Sequence, residues 1–109
     1  MTVEAFANLI GCDIVCMPSP EKEVCGAYIG DLLSWVMGKA ESGNVWITIM
    51  SNINTVAVAT LTDASCILLA EGVRPDENAL EAAKSKGVNS LSAKMSAYEA
   101  AILLSEINI

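Results

Sequence analysis

Three short stretches hold the side chains best suited to engaging a ligand. Ser51, Asn52 and Asn54 crowd a hydroxyl and two amides together, groups that hydrogen-bond small polar molecules. Glu71, Gly72 and Arg74 combine a carboxylate, a flexible backbone position and the only arginine of the chain. A guanidinium pairs with carboxylate or phosphate in a two-pronged way. Asp31 follows Gly30, and Gly30 and Gly72 at helix starts could turn backbone N–H groups towards an anion. The glycines lack Gly-x-Gly-x-x-Gly or Walker spacing. Each group also has an ordinary role. Ser and Asn build turns and cap helices. Arg74 pairs with Glu71, or with a carboxylate of a second copy.

Catalytic chemistry is poorly provided for. There is no histidine, which removes the commonest general base and the commonest metal ligand. Ser51 and Ser92 have no imidazole to activate them, and pairing Ser with Lys94 would need a desolvated amine. Asp31 and Glu71 could act as a carboxylate pair, yet thirteen acidic residues make such a pair easy to find by chance. The expectation is a non-enzymatic chain with no catalytic residues and no cofactor. Cys12, Cys16 and Cys25 invite a zinc or iron–sulfur reading. They contain no Cys-x-x-Cys pair, and on a strand positions 12 and 16 lie about 13 Å apart. Reduced core thiols are their ordinary role. No metal ligands are assigned, and thiolate metal or iron–sulfur binding stands as the second alternative function.

Composition sets the wider bounds. The 109 residues make one domain, 1–109. Hydrophobic residues at 53% and charged residues at 17% exclude disorder as the main state. A net charge of −7 repels a phosphate backbone, so nucleic acid is excluded as partner. Residues 42–62 carry no charge. Within them Ser51, Asn52, Asn54 and Thr55 would be costly in lipid, so no membrane span is expected. The start lacks a secretory pattern, and the four cysteines fit a reducing cytoplasm. So few charges on a small domain imply surface hidden against another copy, a homodimer.

These groups must be positioned by alternating elements. Residues 3–10 carry Val3, Phe6, Leu9 and Ile10 at helical spacing, between Thr2 as N-cap and Gly11 as stop. Short strands are expected at 13–16 and 24–29, separated by the loop 18–23. Asp31 then caps a helix that packs Leu32, Leu33, Trp35, Val36 and Met37 inward. Residues 45–49 are rich in β-branched side chains and read as a strand. Segment 53–61 is ambiguous. Residues 55–60 alternate like a strand, whereas Ile53, Val56, Ala57, Thr60 and Leu61 share a helical face that Asn52 would cap. Alternation of strand and helix on both sides favours the helix. Residues 66–70 form a continuous apolar run, as in a strand buried on both faces. Pro75 fits the first turn of a helix in which Asp76, Glu77 and Glu81 precede Lys84 and Lys86, and Gly87 ends it. A strand at 88–91 and a capping box, Ser96 with Glu99, lead into the last helix, which runs to about residue 106. Repeated crossovers require parallel strands. The predicted fold is α/β, a three-layer α/β/α sandwich with a mostly parallel sheet of four to five strands. Its ligands would sit at the carboxyl edge of the sheet.

Three stretches in this order, Tyr28-Ile29-Gly30-Asp31-Leu32-Leu33, Val45-Trp46-Ile47-Thr48 into Asn54-Thr55-Val56-Ala57, and Ile67-Leu68-Leu69-Ala70-Glu71-Gly72-Val73-Arg74-Pro75, resemble the DRTGG domain family over nearly the whole chain. The family is similar in fold to the amino-terminal domain of HPr kinase/phosphorylase. The resemblance implies a regulatory or assembly module, often dimeric, with no catalytic centre of its own. Asn52 and Ile53 stand where the family's Asp-Arg would be, and Ala70, Glu71 and Gly72 where its Thr-Gly-Gly would be; Gly72 alone is kept. The expected function is a self-associating regulatory domain. The first alternative is a small-metabolite or nucleotide binder using Asp31, Ser51, Asn52, Asn54, Glu71, Gly72 and Arg74.

Overall fold

The computed structural model describes residues 1–109. Helix α1 (Val3–Ile10) leads to β1 (Asp13–Cys16) and β2 (Ala27–Ile29). Then follow α2 (Leu33–Lys39), β3 (Val45–Thr48), α3 (Ile53–Thr62), β4 (Cys66–Leu69), α4 (Glu77–Lys86), β5 (Ser90–Ser92) and α5 (Ala97–Ser105). The strands form one sheet in the order β1-β5-β4-β3-β2. β2 to β5 are parallel, and β1 joins β5 antiparallel. The fold is therefore α/β, with a mixed, mostly parallel five-stranded sheet.

Alternation along the strands divides the apolar side chains between two cores. Val45, Ile47, Cys66, Leu68 and Leu91 pack with Val3, Phe6 and Ala7 of α1 and Ala100 and Leu104 of α5. Trp46, Ile67 and Leu69 pack with Val36 of α2, Val56, Val58 and Ala59 of α3, and Ala79 and Ala83 of α4. Every residue of β3 and β4 is buried, as expected of central parallel strands. Burial disfavours a thiolate, so it raises the pKa of Cys12, Cys16 and, most of all, Cys66.

Segment 53–62 is helical despite its strand-like alternation. The Asn52 side-chain oxygen accepts from the N–H of Asn54 at 2.9 Å and of Thr55 at 3.4 Å, and Asp63 closes the helix in the left-handed conformation. Its buried face is Thr55, Val56, Val58 and Ala59, whereas Ile53 and Leu61 are exposed. The expected apolar stripe is rotated, because the sheet takes the small and β-branched side chains. α2 departs further from expectation. Only Val36 is buried, and Leu32, Trp35 and Met37 face outward. Leu32 holds the N-cap position, without a side-chain hydrogen bond. Asp31 is therefore not the cap, and its carboxylate is used elsewhere. Pro75 lies just ahead of α4, whose N-cap is Asp76. β2 and β5 are also narrower than, or shifted from, the expected 24–29 and 88–91. Val24 bonds to Met1, and Val88 still bonds back to Ala83 of α4.

The connection from β1 to β2 runs from one edge of the sheet to the other across the amino ends of the parallel strands. Ser19 donates to the Gly87 carbonyl at 2.8 Å and exchanges hydrogen bonds with the buried Asn89 amide ahead of β5. The Ser65 hydroxyl ahead of β4 donates to the Glu23 carbonyl, and the Cys25 N–H to the Gly43 carbonyl ahead of β3. This strap occupies the amino edge. The carboxyl edge carries the connections from the parallel strands into the helices.

Candidate functional site

At the carboxyl edge, the turn from β3 into α3 is built around Asp31. Its Oδ1 accepts from the Thr48 hydroxyl at 2.7 Å and from the Ile49 N–H at 3.1 Å. The same Thr48 oxygen accepts the Met50 N–H at 3.1 Å. Asp31 thus braces two loops through Oδ1. The chain then passes through Ser51 to Asn52, whose amide oxygen caps α3.

Ser51 and Asn52 line a cavity with Thr55 of α3, Pro75, Ala79 and Ser90. The space open to the centre of a water-sized sphere is about 10 Å³, which is room for about one water or one ligand atom. Thr55 is 2% exposed, and its Oγ1 has no hydrogen-bond partner. A buried unpaired hydroxyl is costly, which sets it apart from the other helical threonines. Thr60 and Thr62 of α3 each donate to the carbonyl four residues back at 3.0 Å. Thr55, in the first turn, has no helical carbonyl behind it.

The other expected site residues do not join this cavity. Asn54 is exposed on α3. Glu71 and Gly72 both take the left-handed conformation, with φ of 59° and 71°. Glu71 therefore stands, at some backbone strain, in a conformation that glycine adopts freely. Their N–H groups donate to the Met95 and Ala93 carbonyls, each at 2.8 Å, so they are not presented to an anion. The Gly30 N–H is likewise spent on the Ile47 carbonyl, while the Gly30 carbonyl accepts the buried Trp46 indole N–H at 2.9 Å. Arg74 pairs at 3.5 Å with Asp13 of β1, not with Glu71. Both side chains are exposed, so this pair contributes about 0–1 kcal/mol. The expected rim thus separates into a cavity at Ser51, Asn52 and Thr55, a closed turn at Glu71-Gly72, and an ion pair on the β1 side.

Thr55 is the residue that sequence reasoning passed over. Its signal is a threonine three residues after a capping Asn, a position whose side chain leans back towards the helix start. The cysteines are also dispersed. Cys12 packs with the α1–α5 core, Cys16 with the core on the opposite face, and Cys25 is exposed beside the strap.

No family model matches the chain, and no curated protein matches it in sequence. Among solved structures it is similar to the CBS and DRTGG domains of the regulatory region of Clostridium perfringens pyrophosphatase, complexed with the activator diadenosine tetraphosphate. The TM-score is 0.72 at 13% identity, over 94% of this chain and 45% of that one, so this chain spans less than half of that structure. The likeness is one of fold, and it bears out the DRTGG-like pattern read from Tyr28 to Pro75: the chain has a DRTGG-like fold.

Proposed function

We propose that this chain is a non-enzymatic regulatory or assembly domain that pairs with a second copy of itself and reads a small ligand at the carboxyl edge of its sheet. The single observation that carries the pairing is the unfilled side of β2. Helix α5 lies over the centre of the sheet and leaves a groove of about 360 Å³ between itself and this edge strand. Ala27, Ile29 and Ile47 form its floor, and Ala101, Leu104 and Ile107 its wall. Ile29 is 48% exposed there, and the outer edge of β2 is unpaired. An open strand edge beside apolar side chains is a template for another chain. Burying the rest of Ile29 alone contributes about 1 kcal/mol per copy. The two cores on opposite faces of the sheet support a three-layer sandwich as the body that presents this edge. Buried free thiols at Cys16 and Cys66 favour a reducing compartment such as the cytoplasm.

The ligand-reading half draws on the fold neighbour, a regulatory region in complex with a nucleotide activator. Analytical ultracentrifugation across a concentration series tests the pairing. Wild type is expected to dimerise, and Ile29→Lys to weaken the dimer at least about tenfold by placing an ammonium in the groove. A wild-type chain that stays monomeric at every concentration refutes it. A thermal-shift series with diadenosine tetraphosphate and mononucleotides tests the ligand, since binding to the native state raises the melting temperature by mass action.

A further inference from the structure

The geometry points to one site for the acidic part of such a ligand: the turn Ser51-Asn52-Ile53, with the Thr55 hydroxyl beneath it, binds a phosphate or phosphoryl group. This rests on the ligand-reading half of the proposed function and gives it a place and a chemistry.

Four observations converge on this turn. The backbone N–H groups of Ser51, Asn52 and Ile53 donate to no acceptor in the chain. The three successive donors stand at the start of α3, a ten-residue helix whose partial positive end favours negative charge. The Asn52 amide oxygen is committed to the cap, which leaves its NH2 group as a further donor. Last, the unpartnered Oγ1 of Thr55, buried almost completely, lines the same cavity as Ser51 and Asn52. Donors dominate this list, so the fitting ligand is rich in acceptors.

Size narrows the choice further. The slot admits about one heavy atom, too little for a ring or an apolar body. A tetrahedral oxyanion seated on the turn can send one oxygen into the slot, where the Thr55 hydroxyl donates to it. Its other oxygens face the turn's N–H groups and the Ser51 hydroxyl. The carboxylate tied into this turn, Asp31, is already engaged by Thr48 and Ile49. A free phosphate and the terminal phosphate of a nucleotide offer the same chemistry here, and the experiment separates them.

Amide chemical shifts of the 15N-labelled full chain are followed during titration with inorganic phosphate, with adenosine monophosphate, and with sodium chloride at matched ionic strength. Saturable shifts centred on Ser51, Asn52, Ile53 and Thr55 are expected for phosphate or the nucleotide but not for chloride. Tighter binding of the nucleotide would mark the phosphate as part of a larger ligand; equal binding would mark the free ion. Asn52→Asp keeps a good helix cap while placing a negative charge at the site, and should weaken binding at least about tenfold. Thr55→Val keeps the side-chain shape without the hydroxyl and should weaken it severalfold. Undiminished binding by both variants, or equal shifts with chloride, overturns the site. Saturable nucleotide shifts centred elsewhere overturn this site while leaving ligand reading intact. No response to any nucleotide or to phosphate removes both.

Discussion

Replacing Asp31 by Ala tests whether one carboxylate organises the carboxyl edge. Asp31 joins the loop after β2 to the turn after β3 through two hydrogen bonds, at 2.7 Å from the Thr48 hydroxyl and 3.1 Å from the Ile49 N–H. Hydrogen bonds to a charged acceptor are worth about 1.5–3 kcal/mol each when shielded. Asp31 itself is exposed, which lowers that figure, but Thr48 is only 2% exposed and would keep a buried hydroxyl proton without an acceptor. The expected loss is about 2 kcal/mol in all, or roughly 8–16 °C in melting temperature for a domain of this size. Urea unfolding, read from the fluorescence of buried Trp46, measures it, and hydrogen exchange at Ile49 reports the same bond locally. Asp31→Asn keeps an oxygen acceptor in place and should recover about half of the loss. A loss below about 0.3 kcal/mol for Asp31→Ala, with Ile49 still protected from exchange, would refute the brace. The Thr48–Met50 hydrogen bond would then hold the turn alone.

Thiol accessibility and pH give two further tests. Cys25 is exposed while Cys16 and Cys66 are buried, so a thiol reagent at neutral pH should modify Cys25 quickly and the buried pair only as the chain opens; equal rates for all would contradict the packing. Burial raises the folded-state pKa of Cys12, Cys16 and Cys66 above their ordinary 9.0, so this contribution to stability is complete below about pH 9 and lost as pH rises beyond it, where the unfolded chain ionises first. Urea midpoints from pH 7 to 10.5 should fall on the alkaline side, and Cys66→Ala should be less stable at neutral pH yet show a shallower alkaline decline.

The sequence revealed the elements better than it revealed their faces. Caps at Thr2, Asn52 and Ser96 and the stops at Gly11 and Gly87 are where local pattern placed them, because a cap is decided within four residues. The helix at 53–62 was reachable only through context, since Val56 and Val58 favour a strand by propensity alone. Orientation is a tertiary matter. Trp35 and Met37 read as inward residues, yet α2 is seven residues long at the β2 side of the sheet and has room to bury only Val36. Part of the candidate site was illegible for a similar reason. Asp31, Gly30, Gly72 and Arg74 do lie in the loops expected, but their donors and acceptors are taken by Thr48, Ile47, Ala93 and Asp13. No spacing rule announces such partners, because each comes from a segment distant in sequence. Thr55 is the converse case. Its significance is a missing partner, visible only once the surrounding atoms are placed.

Strand order explains why the remaining site is small. From β2 to β5 each parallel strand is laid beside the last in one direction, and α2, α3 and α4 all pack into the same core. A doubly wound sheet opens a crevice where the strand order reverses and neighbouring helices depart to opposite faces. The parallel strands here contain no such reversal. α3 and α4 stay packed together, with Ala79 and Ala83 of α4 lining the slot beside Thr55 of α3, while α5 after β5 crosses to the opposite face. A ligand at this slot is therefore not enveloped by α3 and α4. It can be held by a polar group on a turn, and the rest of its surface must stay in solvent or meet a second surface. Contact through so few atoms limits affinity, because only atoms that touch the protein contribute.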